Sequence, residues 1–186
     1  MSIETEQPTW NLDASHSSVS FSVRHMGLAT VRGSFKDFEL AIEANDEGVP
    51  TKVRADIDVA SITTGAPDRD GHLRSADFFD ADNHPKMTFE STAITKVDDD
   101  LKIEGQLTIR DVVQPVTFTA DFSGPVTDPW GNPRIAADAE GKINRTKWGL
   151  TWNQVLEAGS LLVGEEVRFH ISAQAVKPQP AEAVAV

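Results

Sequence analysis

The chain has 186 residues, 39 % of them apolar, with no break in character along its length, which fits one domain able to bury a substantial core. Its 17 basic and 29 acidic residues leave a net charge of −12, which argues against adhesion to phosphate backbones or anionic bilayers, so no nucleic-acid partner is expected. There is no cysteine, and disulfides, thiolate catalysis and sulfur-ligated metals are therefore excluded.

Residues 1–9 read as a flexible lead. Met1 to Trp10 carries neither a basic patch nor an apolar run, and no later stretch approaches membrane-spanning length. The chain as given is accordingly expected to be cytoplasmic, with no secretory signal and no integral membrane segment. From His16 to His25 polar and apolar side chains alternate, which predicts a strand with Val19, Phe21 and Val23 on its dry face. The same parity aims His25 inward, either as a satisfied core histidine or as the mouth of an apolar pocket.

Alternation of this kind recurs through the chain, at Val31 and Phe35, at Val53 to Val59, at Met87 and Phe89, and at Leu101 to Ile109. It continues at Val116, Phe118 and Phe122, at Ile135 to Ile143, and at Val167, Phe169 and Ile171. Eight or nine half-solvated strands predict an antiparallel barrel or sandwich rather than a parallel sheet. Turn signals at Asn45–Gly48, Asp98–Asp100, Gly124-Pro125 and Asp128–Pro133 are short enough for an up-and-down meander. The exception is the connection from Ser61 to Lys86, with a helix-like piece around Asp68 to Ala76; a second long stretch, Arg145 to Glu165, holds Trp148 and Trp152. Residues 177–186 are expected to be a disordered tail.

Small residues fall on the inward parity at Gly105, Ala120, Ala137, Ala139, Gly141 and Ala173. They either leave a cavity or match the taper of a filled barrel. The strand from Ile135 to Ile143 runs on to Arg145, whose guanidinium cannot be buried unpaired, so it needs an internal carboxylate, with Asp70 and Asp111 available, or an anionic ligand group. Asp70 and Arg74 stand four apart and are placed to pair on a helix surface. Phe78 and Phe79 follow; adjacent rings do not easily face one side, and one of them is expected to plug the barrel or meet a ligand. The histidines at 16, 25, 72 and 84 match no compact metal pattern, and neither Gly-x-Ser-x-Gly nor a phosphate-cradling loop occurs.

Several motifs occur in order. They are Asp13-x-x-His16-Ser17 leading into Phe21-x-Val23-x-His25, Val31-x-Gly33-x-Phe35, Ser61-Ile62-x-Thr64, Arg69-Asp70-x-His72-Leu73 and Asp77-Phe78-Phe79-Asp80. Pro85-x-x-Thr88-Phe89, Gly105-x-Leu107-Thr108-Ile109 before Pro115-Val116, and Ile143-Asn144-Arg145 before Trp148-Gly149-Leu150 complete the set. Together they resemble the YceI-like family over residues 10–176, although Asp111 stands where that family commonly has a glycine. The resemblance implies an all-β fold, an extended eight-stranded antiparallel lipocalin-like barrel with a short helix in the long connection. It also implies a tunnel for a long isoprenoid, isoprenoid diphosphate or quinone-like lipid, no established catalytic residue, no cofactor other than such a lipid, and frequent homodimers.

On this footing the barrel is expected to hold, store or transport one apolar chain. The expected lining is Phe21, Val23, Phe35 and Phe89 together with Ile109, Phe118, Ile143 and Phe169. His25, Asp70, His72 and Arg145 are expected to orient a head group, with Phe78 and Trp148 beside them. Two other readings compete: an enzyme using His25 as acid or base on the same ligand, and a packed barrel that serves as an interaction module.

Overall fold

The computed structural model of the chain describes residues 9–178. Its strands are β1 (Thr9–Leu12), β2 (Ser18–His25), β3 (Ala29–Phe35), β4 (Phe38–Ala44), β5 (Pro50–Asp58) and β6 (Ile62–Thr63). One α-helix, α1 (Pro67–Arg74), separates these from β7 (Lys86–Val97), β8 (Asp100–Ile109), β9 (Val112–Thr127), β10 (Pro133–Asn144) and β11 (Val163–Val176). The expected segments 1–9 and 177–186 lie outside the described residues except for Thr9, which opens β1, and Lys177 and Pro178. The Lys177 amide still donates to the Pro133 carbonyl at 2.9 Å.

Three of the barrel's staves are each made of two segments, β1 with β2, β3 with β4, and β5 with β6. Counted in this way, eight staves follow one another in chain order, each antiparallel to the next, and β11 closes the sheet on β1 and β2. The all-β, eight-stranded antiparallel barrel with one short helix is as expected, and closure leaves no free edge along most of its length.

Two of the breaks share one chemical device. The Asp13 carboxylate accepts from the Ser15 amide, while the Ser17 hydroxyl donates to the Asp13 carbonyl at 2.7 Å and accepts from the Gln174 amide at 3.0 Å. At the second break the Asp58 carboxylate accepts from the Ala60 amide. There the Ser61 hydroxyl donates to the Asp58 carbonyl at 2.7 Å and accepts from the amides of Lys36 and Asp37, both at 3.0 Å. Each serine thus satisfies the neighbouring stave's amides where the ladder is interrupted, which is how the strands bend without losing those bonds.

Gly124-Pro125, a turn signal in the sequence, lies instead inside β9, opposite a register shift between Arg134 and Ala136. The hairpin joining β9 to β10 is made by the Asp128 carboxylate, which accepts from the amides of Trp130 and Asn132. At the two-residue turn between β8 and β9 the backbone is left-handed at both Arg110 (φ 50°) and Asp111 (φ 64°). Glycine adopts that conformation most easily, and aspartate is among the side chains that tolerate it.

The main core runs through the barrel from Val19 and Phe35 to Trp148 and Leu150, with a smaller one of Trp10, Ile42, Ala44, Ile135 and Ala175 at the far end. Gly105 and Gly141 do not open space in it. A Cβ on Gly141 would meet the Phe118 ring at 2.6 Å, and one on Gly105 would meet the Phe89 ring at 2.5 Å. Those glycines are seats for rings. Gly141→Ala is therefore expected to destabilise the fold by about 1–3 kcal/mol through overpacking, read from the denaturation midpoint.

At the seam, Arg134 donates to Asp13 and to Asp128, both at 2.8 Å. The Asn132 amide, then Arg134, hold the Asp128 carboxyl down at about 2 from its ordinary 3.8. A depressed folded-state value adds stability that is present above the unfolded value and lost as the pH falls through the folded one. The difference in melting temperature between wild type and Asp128→Asn should therefore shrink as the pH drops from about 4 to about 2. A pH-independent difference would remove Asp128 from the acid response.

Candidate functional site in the barrel interior

The interior holds two apolar cavities in line. The lower, about 90 Å³, is walled by hydrocarbon from β2, β4, β5, β7 and β8 to β11, with Leu40, Ile57, Met87, Phe89, Ile103 and Phe118 among its lining. The upper, about 70 Å³, lies under α1 and the 149–163 strap, and is lined by Phe21, Phe35, Phe78, Phe79, Ile143 and Arg145, among others. Phe169 borders both.

Ten of the fourteen expected site residues line these cavities. Phe21, Val23, Phe35, Phe78, Ile109, Ile143 and Arg145 border the upper one, Phe89 and Phe118 the lower, and Phe169 both. Phe78 and Phe79 both face the upper cavity, against the expectation that only one would do so. They sit in a turn, with the Phe78 amide bonded to the Ser75 carbonyl and the Phe79 amide to that of Leu73, so strand alternation does not govern them. Phe79 also stands edge-on to Phe35, at 5.9 Å between centroids.

Four expected residues lie elsewhere. His25 ends β2 at the rim, half-buried, paired in register with Ala29 and Val163, and lines neither cavity. Trp148 is buried, and its indole N–H donates to the Leu107 carbonyl at 3.0 Å. Asp70, 6 % exposed, accepts from the amide of Thr64 at 2.8 Å and from its hydroxyl. Burial opposes ionisation of Asp70, but these bonds outweigh it and hold the carboxyl below its usual range. The Asp70–Arg74 surface pair suggested by their spacing does not form: Asp70 turns inward, and Arg74 donates to the carbonyls of Ala60 and Ile62. His72 pairs with Asp77 at 2.9 Å and stacks edge-on against Trp152 and Phe78.

Arg145 resolves the choice posed by its burial in a third way. At 4 % exposure its guanidinium meets backbone rather than a carboxylate. Nε donates to the Gly164 carbonyl at 2.9 Å, one terminal nitrogen to the carbonyls of Leu150 and Trp152, and the other to Val163 at 3.2 Å. Its charge also lies over the Phe78 ring, 5.9 Å from the centroid. Burial pushes the group down from its ordinary value, with the Glu165 charge opposing that shift. Neither sequence candidate reaches it: Asp70 is bound to Thr64, and Asp111, exposed at the β8–β9 turn, pairs with His84 at 3.0 Å. Arg145 thus straps the 149–164 segment over the upper cavity and leaves a cation at its wall without a carboxylate in contact.

Leu40, Leu73, Leu150 and Val163 also line the cavities without having been expected there. Leu40 lies on the Phe38, Leu40, Ile42 alternation of β4, a signal that could have found it, whereas Leu73 and Leu150 stand in the ordered motifs but on segments where strand alternation does not apply. Leu150 reaches the cavity on the strap that Arg145 bonds, and Val163, the first residue of β11, is held there by its pairing with His25 and its bonds to Asn153 as well as by Arg145.

The geometry can be set beside known proteins. The YceI-like domain model matches residues 10–175. A UPF0312 protein of Staphylococcus aureus (strain bovine RF122) is 36 % identical over 167 residues, which span 89 % of this chain and 95 % of that protein. Among solved structures, the YCEI protein of Campylobacter jejuni aligns with a TM-score of 0.73 at 27 % identity, over 84 % of this chain and 90 % of that one. BcnA of Burkholderia cenocepacia aligns with a TM-score of 0.76 at 22 % identity, over 89 % of this chain and 99 % of its own. A polyisoprenoid binding domain from Saccharophagus degradans, implicated in plant cell wall breakdown, aligns at 0.67 and 16 % identity, over 92 % and 99 %, and these last two likenesses concern the fold alone. With the family model spanning almost all the described residues and a relative above a third identical, the chain belongs to the YceI-like family.

Proposed function

We propose that this protein is a binding protein for an apolar, chain-like ligand, of isoprenoid or quinone-like type, held in the barrel with its polar end at Arg145. The observation that carries this reading is the pair of aligned cavities, walled by hydrocarbon except for one buried cation. Apolar burial supplies the affinity, at about 0.8 kcal/mol for each methylene taken from water. Arg145 supplies the direction, because its charge meets carbonyl dipoles and the Phe78 ring but no carboxylate in contact, and an anionic or carbonyl-bearing group would complete its surroundings. The polyisoprenoid binding domain with a similar fold supports the choice of ligand class.

The cavities are narrow. Each is smaller than the about 150 Å³ void that takes a benzene, so a long chain enters by displacing side chains. That observation favours the second reading, a packed barrel acting as an interaction module. Carriage without turnover is proposed over catalysis because His25 lines neither cavity.

Titration of the purified chain with farnesol and farnesyl diphosphate, followed by tryptophan fluorescence, tests these readings. Saturable binding of both, with each ligand recovered unchanged by mass spectrometry, is expected; a packed module binds neither, and an enzyme returns a product. Phe118→Asp, with its fold checked by near-ultraviolet circular dichroism, should lose both ligands. Arg145→Met should lower the preference for the diphosphate over the alcohol by about tenfold, the scale of one charge-assisted hydrogen bond. Using the ratio cancels any loosening of the strap, and an unchanged ratio would remove Arg145 from head-group recognition.

A further inference from the structure

Phe169 is the side chain that the two cavities have in common. It lies buried on β11, in register with Gly141 of β10 on one side and Phe21 of β2 on the other. The same row extends to Phe118 of β9, opposite Gly141, and to Gly33 of β3, opposite Phe21. Across five strands the inner wall therefore reads Phe118, Gly141, Phe169, Phe21, Gly33.

Two of these three rings lie over a glycine. Phe118 covers Gly141, and Phe21 covers Gly33, where an added Cβ would run into the ring. The missing side chains let both rings lie against the wall. Phe169 has no such seat, since the glycine beside it is already covered by Phe118 and its other neighbour is Phe21. Its ring stands between the chambers, with Arg145 above and hydrocarbon alone below.

We propose that Phe169 is the partition that sets how long an apolar chain the barrel accepts, an inference that rests on the binding reading above. A chain whose polar end is at Arg145 fills the upper chamber first, and it reaches the lower chamber only when the Phe169 ring turns aside. The residue is a determinant of chain length, separate from the Arg145 charge that selects the polar end.

The test uses the full chain and the alcohols prenol, geraniol, farnesol and geranylgeraniol, each one isoprene unit longer than the last, with dissociation constants from tryptophan fluorescence. Each newly buried methylene raises affinity about fourfold, so the length at which affinity stops rising reports the end of the available chamber. Wild type should climb and then level off. Phe169→Ala should keep climbing, so that its preference for geranylgeraniol over geraniol exceeds that of wild type by about tenfold or more, and Phe169→Trp should level off at a shorter alcohol. If the alanine variant does not give the native near-ultraviolet spectrum, Phe169→Leu, which keeps apolar bulk without the ring, should shift the profile in the same direction. Parallel profiles in wild type and the variants would overturn the partition and leave binding standing. Failure of wild type to bind any of the four would overturn the binding reading and the partition together.

Discussion

The barrel closes at a single seam, and Asp13 is the residue that makes closure chemically complete. β11 pairs along β10 on one side, but its other side is shared between β2 and β1, with the chain leaving and rejoining the ladder between them. At that point the Asp13 carboxylate accepts from Ser15 and Arg134, its carbonyl accepts from Ser17, and its amide donates to Gln174. Without these bonds the break would leave part-buried backbone donors and acceptors of the two strands without protein partners. The same device at Asp58 and Ser61 bends the β5/β6 stave beside the break between β3 and β4, so short side-chain oxygens replace ladder bonds at both places.

Closure at eight staves leaves an interior about one side-chain layer wide, and here that width is managed by pairing rings with glycines. Phe21, Phe89 and Phe118 each lie over a glycine on a neighbouring strand. The arrangement keeps large apolar area inside while narrowing the lumen less than a free-standing ring would. Phe169, lacking a glycine of its own, is the exception that divides the lumen in two.

One end of the lumen is capped by segments with little regular structure, held by Arg145. A guanidinium buried among carbonyls ties the strap after β10 to the start of β11, and Arg110 holds the segment after α1 by donating to the carbonyls of Ala76 and Phe78. Cations acting on backbone oxygens thus help to fix the long connections, beside the His72–Asp77 and His84–Asp111 pairs. This suits an end of the barrel that must keep its inner surface apolar and still be closed.

The alternation of Val19, Phe21 and Val23, and its repeats to Ile171, determined by itself that the chain forms an antiparallel sheet with one dry face, and ordered motifs named the family. Period two is a local property, so it survives reading one residue after another. Phe118, Phe169 and Ile143 were legible as lining for the same reason. The tertiary structure alone decided what Asp70, His72 and Arg145 bond to, that Phe78 and Phe79 face the same way, and that inward glycines carry rings instead of space. Those outcomes depend on partners far away in the chain, such as Gly164 for Arg145 and Phe118 for Gly141. A buried polar group or an uncovered glycine is satisfied by whatever closure brings beside it, which no local pattern records.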